Sequence, residues 1–217
     1  MKRAIKSYVL RQGRTTPSQK LSLETLLPIF GIPYSPELLD PRAVFGRIAP
    51  LIVEIGSGMG ETTAEIARAN PQADFIAIEV HGPGVGSLLK KIVAFELANL
   101  RVIRHDAVEV LDRMIADASL AGIHLFFPDP WPKKRHHKRR LVQASFAALA
   151  ARKLAPGGYI HAATDWPEYA TQIDEVFSAS SSFEKELQER KDRPVTKFER
   201  RGLGLGHPVR DLLFLRR

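Results

Sequence analysis

The chain has 217 residues, 44% of them hydrophobic, no cysteine and a formal net charge of +8 at pH 7. That length supports one α/β domain with extensions, and the missing cysteine excludes disulfides and thiolate metal sites. No apolar run reaches the roughly 18 residues of a membrane span, and the basic N-terminus lacks the apolar core of a signal peptide, so a cytoplasmic protein without membrane contact is expected.

Residues 1–23, 133–140 and 190–217 each carry a net +6, which leaves the rest of the chain at −10. An acidic body with three basic segments points to a polyanionic partner, nucleic acid before any other. Residues 1–19 show no hydrophobic period and read as a flexible basic arm. Leu21–Pro50 contains Pro28, Pro33, Pro36, Pro41 and Pro50 and reads as a lead-in without regular structure. Residues 1–45 are therefore set apart from a domain spanning 46–217.

From Leu51 onward short apolar strands alternate with amphipathic helices. Strands are predicted at Leu51–Ile55, Phe75–Val80, Leu100–Asp106, Ile123–Phe127 and Tyr159–Ala163. Helices are predicted at Glu61–Asn70, Val85–Leu97, Ala107–Asp117 and Arg139–Leu154. Phe183–Glu189 and Leu212–Leu215 follow as strands with no helix between them. The pattern predicts an α/β fold: a doubly wound, mostly parallel seven-stranded sheet with an antiparallel C-terminal hairpin.

Ligands of such sheets bind beyond the carboxyl ends of the strands. There Gly56, Gly58 and Gly60 open the first helix, and Glu61 stands where a dinucleotide fingerprint needs a third glycine or alanine. A carboxylate at that place repels a pyrophosphate. Glu79 ends the second strand, Asp106 the third, and Glu54 lies within the first. Three carboxylates at neighbouring strand ends suit a cationic ligand without phosphates and with ribose hydroxyls, and S-adenosylmethionine meets these conditions. Buried without a partner, the Glu54 carboxylate costs several kcal/mol, which makes it the most telling of the three.

Leu125–Arg140 reads LFFPDPWPKKRHHKRR. Three alternating prolines hold Asp129 and Trp131 in a stiff, non-helical segment. Lys133–Arg140 then crowds six cations at the predicted start of the fourth helix, where the helix dipole disfavours positive charge. Phosphate contact relieves that cost. Trp131 and Trp166 are expected to pack their loops against the sheet rim. His136 and His137 diverge and have no third ligand, so no metal is expected.

EIGSGMG, IEVHGPGVG, RHDAVEVL, the PDPW-to-KRR run, ATDW, TKFERRG and LGHPVRDLLF together resemble the bacterial tRNA (guanine-N7)-methyltransferase family, and SYVLRQGRTTPSQ resembles its N-terminal arm. The resemblance covers nearly the whole chain. It implies a class I methyltransferase fold, S-adenosylmethionine as donor, and tRNA as partner, methylated at N7 of a variable-loop guanine. It further implies that Glu54, Glu79, Asp106 and Asp129 line the donor site, with Asp129 as the catalytic acid. Lys133, Asp165 and the segment Thr196, Lys197, Phe198 and Glu199 meet the substrate, within a substrate loop at 190–210. Arg135, His136, His137, Lys138, Arg139 and Arg140 meet RNA. Arg210 and Pro132 depart mildly from the family pattern. The expected assembly is a monomer or weak homodimer. Guanine N7 carries a free lone pair and no proton, so no general base is required. Either Asp129 or Asp165 can accept hydrogen bonds from the guanine edge and stabilise the charge that develops on the ring.

Overall fold

The computed structural model describes residues 6–8, 14–186, 193–195, 199 and 209–217. Three short helices come first: α1 (Pro17–Thr25), α2 (Leu27–Phe30) and α3 (Pro41–Phe45). The alternating part then runs β1 (Leu51–Ile55), α4 (Glu61–Ala69), β2 (Asp74–Ile78), α5 (Gly82–Ala94), β3 (Leu100–Ile103), α6 (Ala107–Met114) and β4 (Leu120–Phe126). A 3-10 helix (Lys134–Arg139), α7 (Ala144–Lys153), β5 (Leu154–Thr164), α8 (Pro167–Ser178), β6 (Phe183–Glu186) and β7 (Arg210–Arg216) complete it.

Among the described residues the strands form one seven-stranded sheet in the order β3-β2-β1-β4-β5-β7-β6. β3, β2, β1, β4 and β5 pair in parallel, while β7 runs antiparallel to both β5 and β6, the expected C-terminal hairpin. Both faces are covered. One buries Val110 and Leu111 of α6, Phe146 of α7, and Tyr169 and Phe177 of α8. The other buries Ala64 of α4 with Val85, Leu88, Leu89 and Ile92 of α5. A wholly buried leucine such as Leu88 contributes about 1.5–3 kcal/mol, and this two-sided burial is why β1 and β2 read as unbroken apolar runs.

Three readings need correction. The lead-in is helical: Thr16 caps α1 in a capping box with Gln19, Pro17 takes the first turn, and Leu23 and Leu26 pack against the α5 side of the core. α8 was not predicted, although Tyr169, Ala170, Ile173 and Phe177 lie buried on one helical face. The helix predicted from Arg139 begins at Ala144. Arg140 has an extended backbone and is buried, and the cations before it form the separate 3-10 turn.

Candidate active site

The strand order reverses between β1 and β4, and a crevice opens there beyond the strand ends. It holds a cavity of about 210 Å³ lined by Gly56 after β1, Glu79 and Val80 after β2, His105 and Ala107 after β3, and Phe127–Asp129 after β4. Among the described residues its wall carries two carboxylates, Glu79 and Asp129, and no lysine or arginine. An acidic wall suits a cationic ligand and repels phosphates. Tyr34, from the segment expected to lack structure, stacks on His105 with ring centres 3.7 Å apart.

The glycine loop forms one side. Gly56, Gly58 and Gly60 all have positive φ. A side chain at Gly60 would strike Leu88, and one at Gly84 would strike the Gly58 carbonyl at 2.4 Å, so α5 meets the loop by direct backbone approach. Glu79 fastens the loop from below: Oε2 accepts from the Gly58 N–H and Oε1 from the His81 N–H, each at 2.8 Å. Each oxygen retains a lone pair for a ligand hydroxyl. Ser57 Oγ in this loop is buried with no hydrogen-bond partner among the described residues, an unused polar group in the place where a ligand is expected. Glu54 is buried in β1, and burial, reinforced by the charge of Glu79, pushes its carboxyl up to about 7. These features fit S-adenosylmethionine: a cationic, phosphate-free ligand with vicinal hydroxyls.

Asp106 has other partners. Its Oδ1 caps α6 through the Val108 N–H at 2.9 Å, and its Oδ2 pairs with Lys6 Nζ at 2.7 Å. Lys6 also reaches Glu109 at 2.7 Å, and both hydrogen bonds raise its pKa. Ser7 and Tyr8 line the cavity, and the Ser7 carbonyl accepts from the Trp131 indole at 3.1 Å. The described part of the N-terminal arm thus bridges α6 and the proline-rich turn.

In that turn Phe127 and Trp131 have φ of 51° and 46°, a left-handed conformation costly for residues with side chains. Trp131 is half-buried, with the Arg139 guanidinium over its ring at 4.5 Å and His136 edge-on at 5.9 Å. Asp129 is exposed at the cavity mouth. Lys133, Lys134, Arg135 and Lys138 face solvent, and Arg139 and His136 are half-buried. Arg140 departs from its expected contact with RNA. It is 3% exposed, with Nε donating to the Pro130 carbonyl and Nη1 to Gln172, both at 2.7 Å, and its guanidinium lies over the Tyr169 ring. His137 leans on the same guanidinium and on Glu168. Because the cations do not start an α-helix, the helix-dipole argument for phosphate binding falls away, and the exposed charge itself remains.

Asp165 is exposed immediately after β5, the strand beside β4, so it and Asp129 follow neighbouring strand ends. Thr196, Lys197 and Phe198 lie outside the described residues. Glu199 is buried at 3%, both oxygens bound by Arg193. Arg193 also grips Asp211, which accepts from His161 at 2.8 Å. Burial alone would raise the Asp211 carboxyl, but hydrogen bonds from Arg193 and His161 hold it at about 2. Sequence reasoning missed Arg193 and the clamp at Arg140 because each looks like one more cation in a basic segment. The extended, pre-helical position of Arg140 after the prolines was the only local signal.

Residues 48–212 match a family model described as "Putative methyltransferase". The chain is 57% identical over 220 residues to the tRNA (guanine-N(7)-)-methyltransferase of Chromobacterium violaceum, covering 100% of this chain and 97% of that one. It is 58% identical over 217 residues to the protein of the same name from Thiobacillus denitrificans, covering 98% and 96%. The fold is similar to that of the 16S rRNA methyltransferase KamB, with a TM-score of 0.59 at 15% identity over 83% of this chain and 94% of that one. On full-length identity of this order, the chain belongs to the tRNA (guanine-N(7)-)-methyltransferase family.

Proposed function

We propose that the protein transfers a methyl group from S-adenosylmethionine to N7 of a guanine in the variable loop of tRNA. The observation that carries this reading is the course of the crevice. An acid-lined cavity opens at Asp129 directly onto a turn bearing exposed Lys133, Lys134, Arg135 and Lys138. A cationic small molecule and a polyanion meet there. The named relatives supply the nucleoside.

Glu79, which holds the Gly58 loop and lines the cavity, accepts from the ribose hydroxyls, and the Glu54 carboxylate, buried within β1, favours positive charge in the ligand. When bound, S-adenosylmethionine supplies an electrophilic methyl group on a sulfonium. Guanine N7 attacks with its own lone pair, so the protein removes no proton to make the nucleophile. The ring becomes positive as the N7–methyl bond forms and the methyl–sulfur bond breaks, its electron pair staying on sulfur, so that S-adenosylhomocysteine is left as a neutral thioether. Asp129 or Asp165 then stabilises that charge by accepting from the N1–H and N2–H₂ edge. Much of the rate comes from holding N7 in line with the methyl carbon. Lys133 and Thr196–Phe198 serve as substrate contacts, while Glu199, expected among them, is buried on Arg193; residues 46–217 serve as the catalytic domain with its substrate loop at 190–210, and residues 1–45 as arm and lead-in. The enzyme acts in the cytoplasm as a monomer or weak homodimer. None of its described helices is long and apolar enough to cross a membrane.

Incubation with labelled donor and unmodified tRNA, followed by nucleoside analysis, should yield 7-methylguanosine. Absence of that nucleoside, or label in another one, overturns the reading. In single-turnover reactions Asp129→Asn and Asp165→Asn separate the two acids. The one that holds the guanine edge should lose about 100-fold, and wild-type rates in both would sink the edge-binding role.

A further inference from the structure

We infer that Arg193 is a positioning residue for methyl transfer, coupling Glu199 to the turn that carries Asp129. The inference rests on the function proposed above. The Arg193 side chain is 0% exposed. Among the described residues its guanidinium donates in two forks: to Glu199 at 2.7 and 3.2 Å, and to both oxygens of Asp211 at 2.8 Å. It also lies 5.6 Å from the centre of the Phe126 ring and 5.5 Å from that of Phe127. One planar group therefore touches three parts of the chain: Glu199, the last strand β7, and the end of β4.

Two features show what this contact is for. Phe127 lines the cavity two residues before Asp129 and holds a left-handed φ of 51°. Such a conformation persists only where the surroundings over-determine it. A hydrogen bond from its N–H to the Ala163 carbonyl at 2.7 Å fixes the backbone, and the Arg193 guanidinium covers the ring. The second feature is the expense of the cluster. Two carboxylates and a guanidinium are desolvated together, with Glu199 and Asp211 almost fully buried. Well-packed apolar residues usually match or exceed the stability of such a cluster, so stability alone is a weak reason for it. What an apolar set cannot supply is the directed fork that fixes Glu199 relative to the strand end. Glu199 accordingly acts through Arg193, and substrate contact from this segment belongs to its neighbours.

Arg193→Lys keeps the charge but cannot serve four acceptors in a planar fork. Glu199→Gln keeps the shape and loses one charged acceptor. Both should bind S-adenosylmethionine in direct titration within about twofold of wild type, because neither side chain forms the cavity wall and Arg193 meets it only from behind the Phe126 and Phe127 rings. Single-turnover methylation of tRNA at saturating donor should fall about 100-fold in Arg193→Lys and about tenfold in Glu199→Gln, the size expected from a small misplacement of reacting groups. The double variant should be no slower than Arg193→Lys, since both changes cut one link. Wild-type turnover in either variant overturns the inference, as does a loss of turnover that only follows a loss of donor binding. If Arg193→Lys shows no cooperative thermal transition, Glu199→Gln decides alone by the same criteria. A wild-type enzyme that makes no 7-methylguanosine would instead overturn the proposed function.

Discussion

At the scale of single residues, Glu54, Glu79 and Asp106 differ in what surrounds each carboxylate. Glu79 and Asp106 follow β2 and β3, as the alternation of β and α implies, whereas Glu54 lies within β1. Their partners come from farther along the chain: the Gly58 N–H on Glu79 from 21 residues away, and Lys6 on Asp106 from 100. For Glu54 the buried state has a measurable consequence. Its carboxyl is raised to about 7, chiefly by burial, so the folded protein keeps a proton there that the unfolded chain loses above about 4.5. The protonation cost to folding is thus absent below about pH 4.5, grows as pH rises to about 7, and is constant above, at ~3 kcal/mol. Glu54→Gln should therefore gain stability at about pH 8 and not at about pH 5. A bound cation favours the ionised carboxylate, so donor binding should release a proton near neutrality. Affinity for S-adenosylmethionine should rise about tenfold between about pH 5.5 and 7, below the range near 8 where the ligand's own ammonium titrates. Calorimetric titration across this range checks it, and a Glu54→Gln profile as steep as the wild type would refute the assignment.

At the scale of elements, periodicity found the strands and the helices between them, and failed where the period was weak or interrupted. α1 is nearly uniform in polarity, yet its start was written in Thr16-Pro17-Ser18-Gln19, a capping box preceding a buried contact with α5. The 3-10 helix and the late start of α7 were hidden because a run of six cations suggests one solvated helix, whereas Arg140 is drawn inward by Pro130 and Gln172. This division of labour within one charge run is testable. Arg140→Ala removes the charged donor of two part-buried oxygens, the Pro130 carbonyl and the Gln172 amide, each such bond worth about 1.5–3 kcal/mol. For a chain of this size, a loss of about 3 kcal/mol lowers Tm by roughly 6–12 °C. Lys134→Ala and Arg135→Ala, which expose their heads to solvent, should leave Tm within about 1 °C and weaken tRNA binding instead. Differential scanning calorimetry beside filter binding separates the two classes, and an Arg140→Ala protein that melts like the wild type would deny the clamp.

At the scale of the whole molecule, the fold class was the most legible feature, because a two-sided parallel sheet needs short, unbroken apolar strands alternating with amphipathic helices, and the chain has them in order. What brings donor and acceptor together was less so, since the arm, the proline turn and residues 193–199 converge by topology alone. The charge distribution is a property at this scale too, and it sets the response to salt. Residues 133–140 contribute +6 in sequence, but Arg140 is withdrawn into the protein and Arg139 lies over Trp131. That leaves Lys133, Lys134, Arg135 and Lys138 exposed on one turn beside the cavity mouth. Each phosphate neutralised releases a counterion, with about 0.7 for single-stranded and 0.9 for duplex geometry in the logarithmic salt slope. Four contacts give a slope of about −3 to −4 for tRNA binding. Removing one exposed cation should make the slope less negative by about 0.7–0.9 and weaken binding to modified and unmodified tRNA alike, because phosphate contacts do not read the base. Donor binding in the acid-lined cavity releases no nucleic-acid counterions, so its affinity should weaken only mildly over the same salt range, through screening of Glu79 and Asp129. A tRNA slope near zero, or one unchanged in Lys134→Ala and Arg135→Ala together, would move the polyanion contact away from this turn and onto the basic segments at the two ends of the chain.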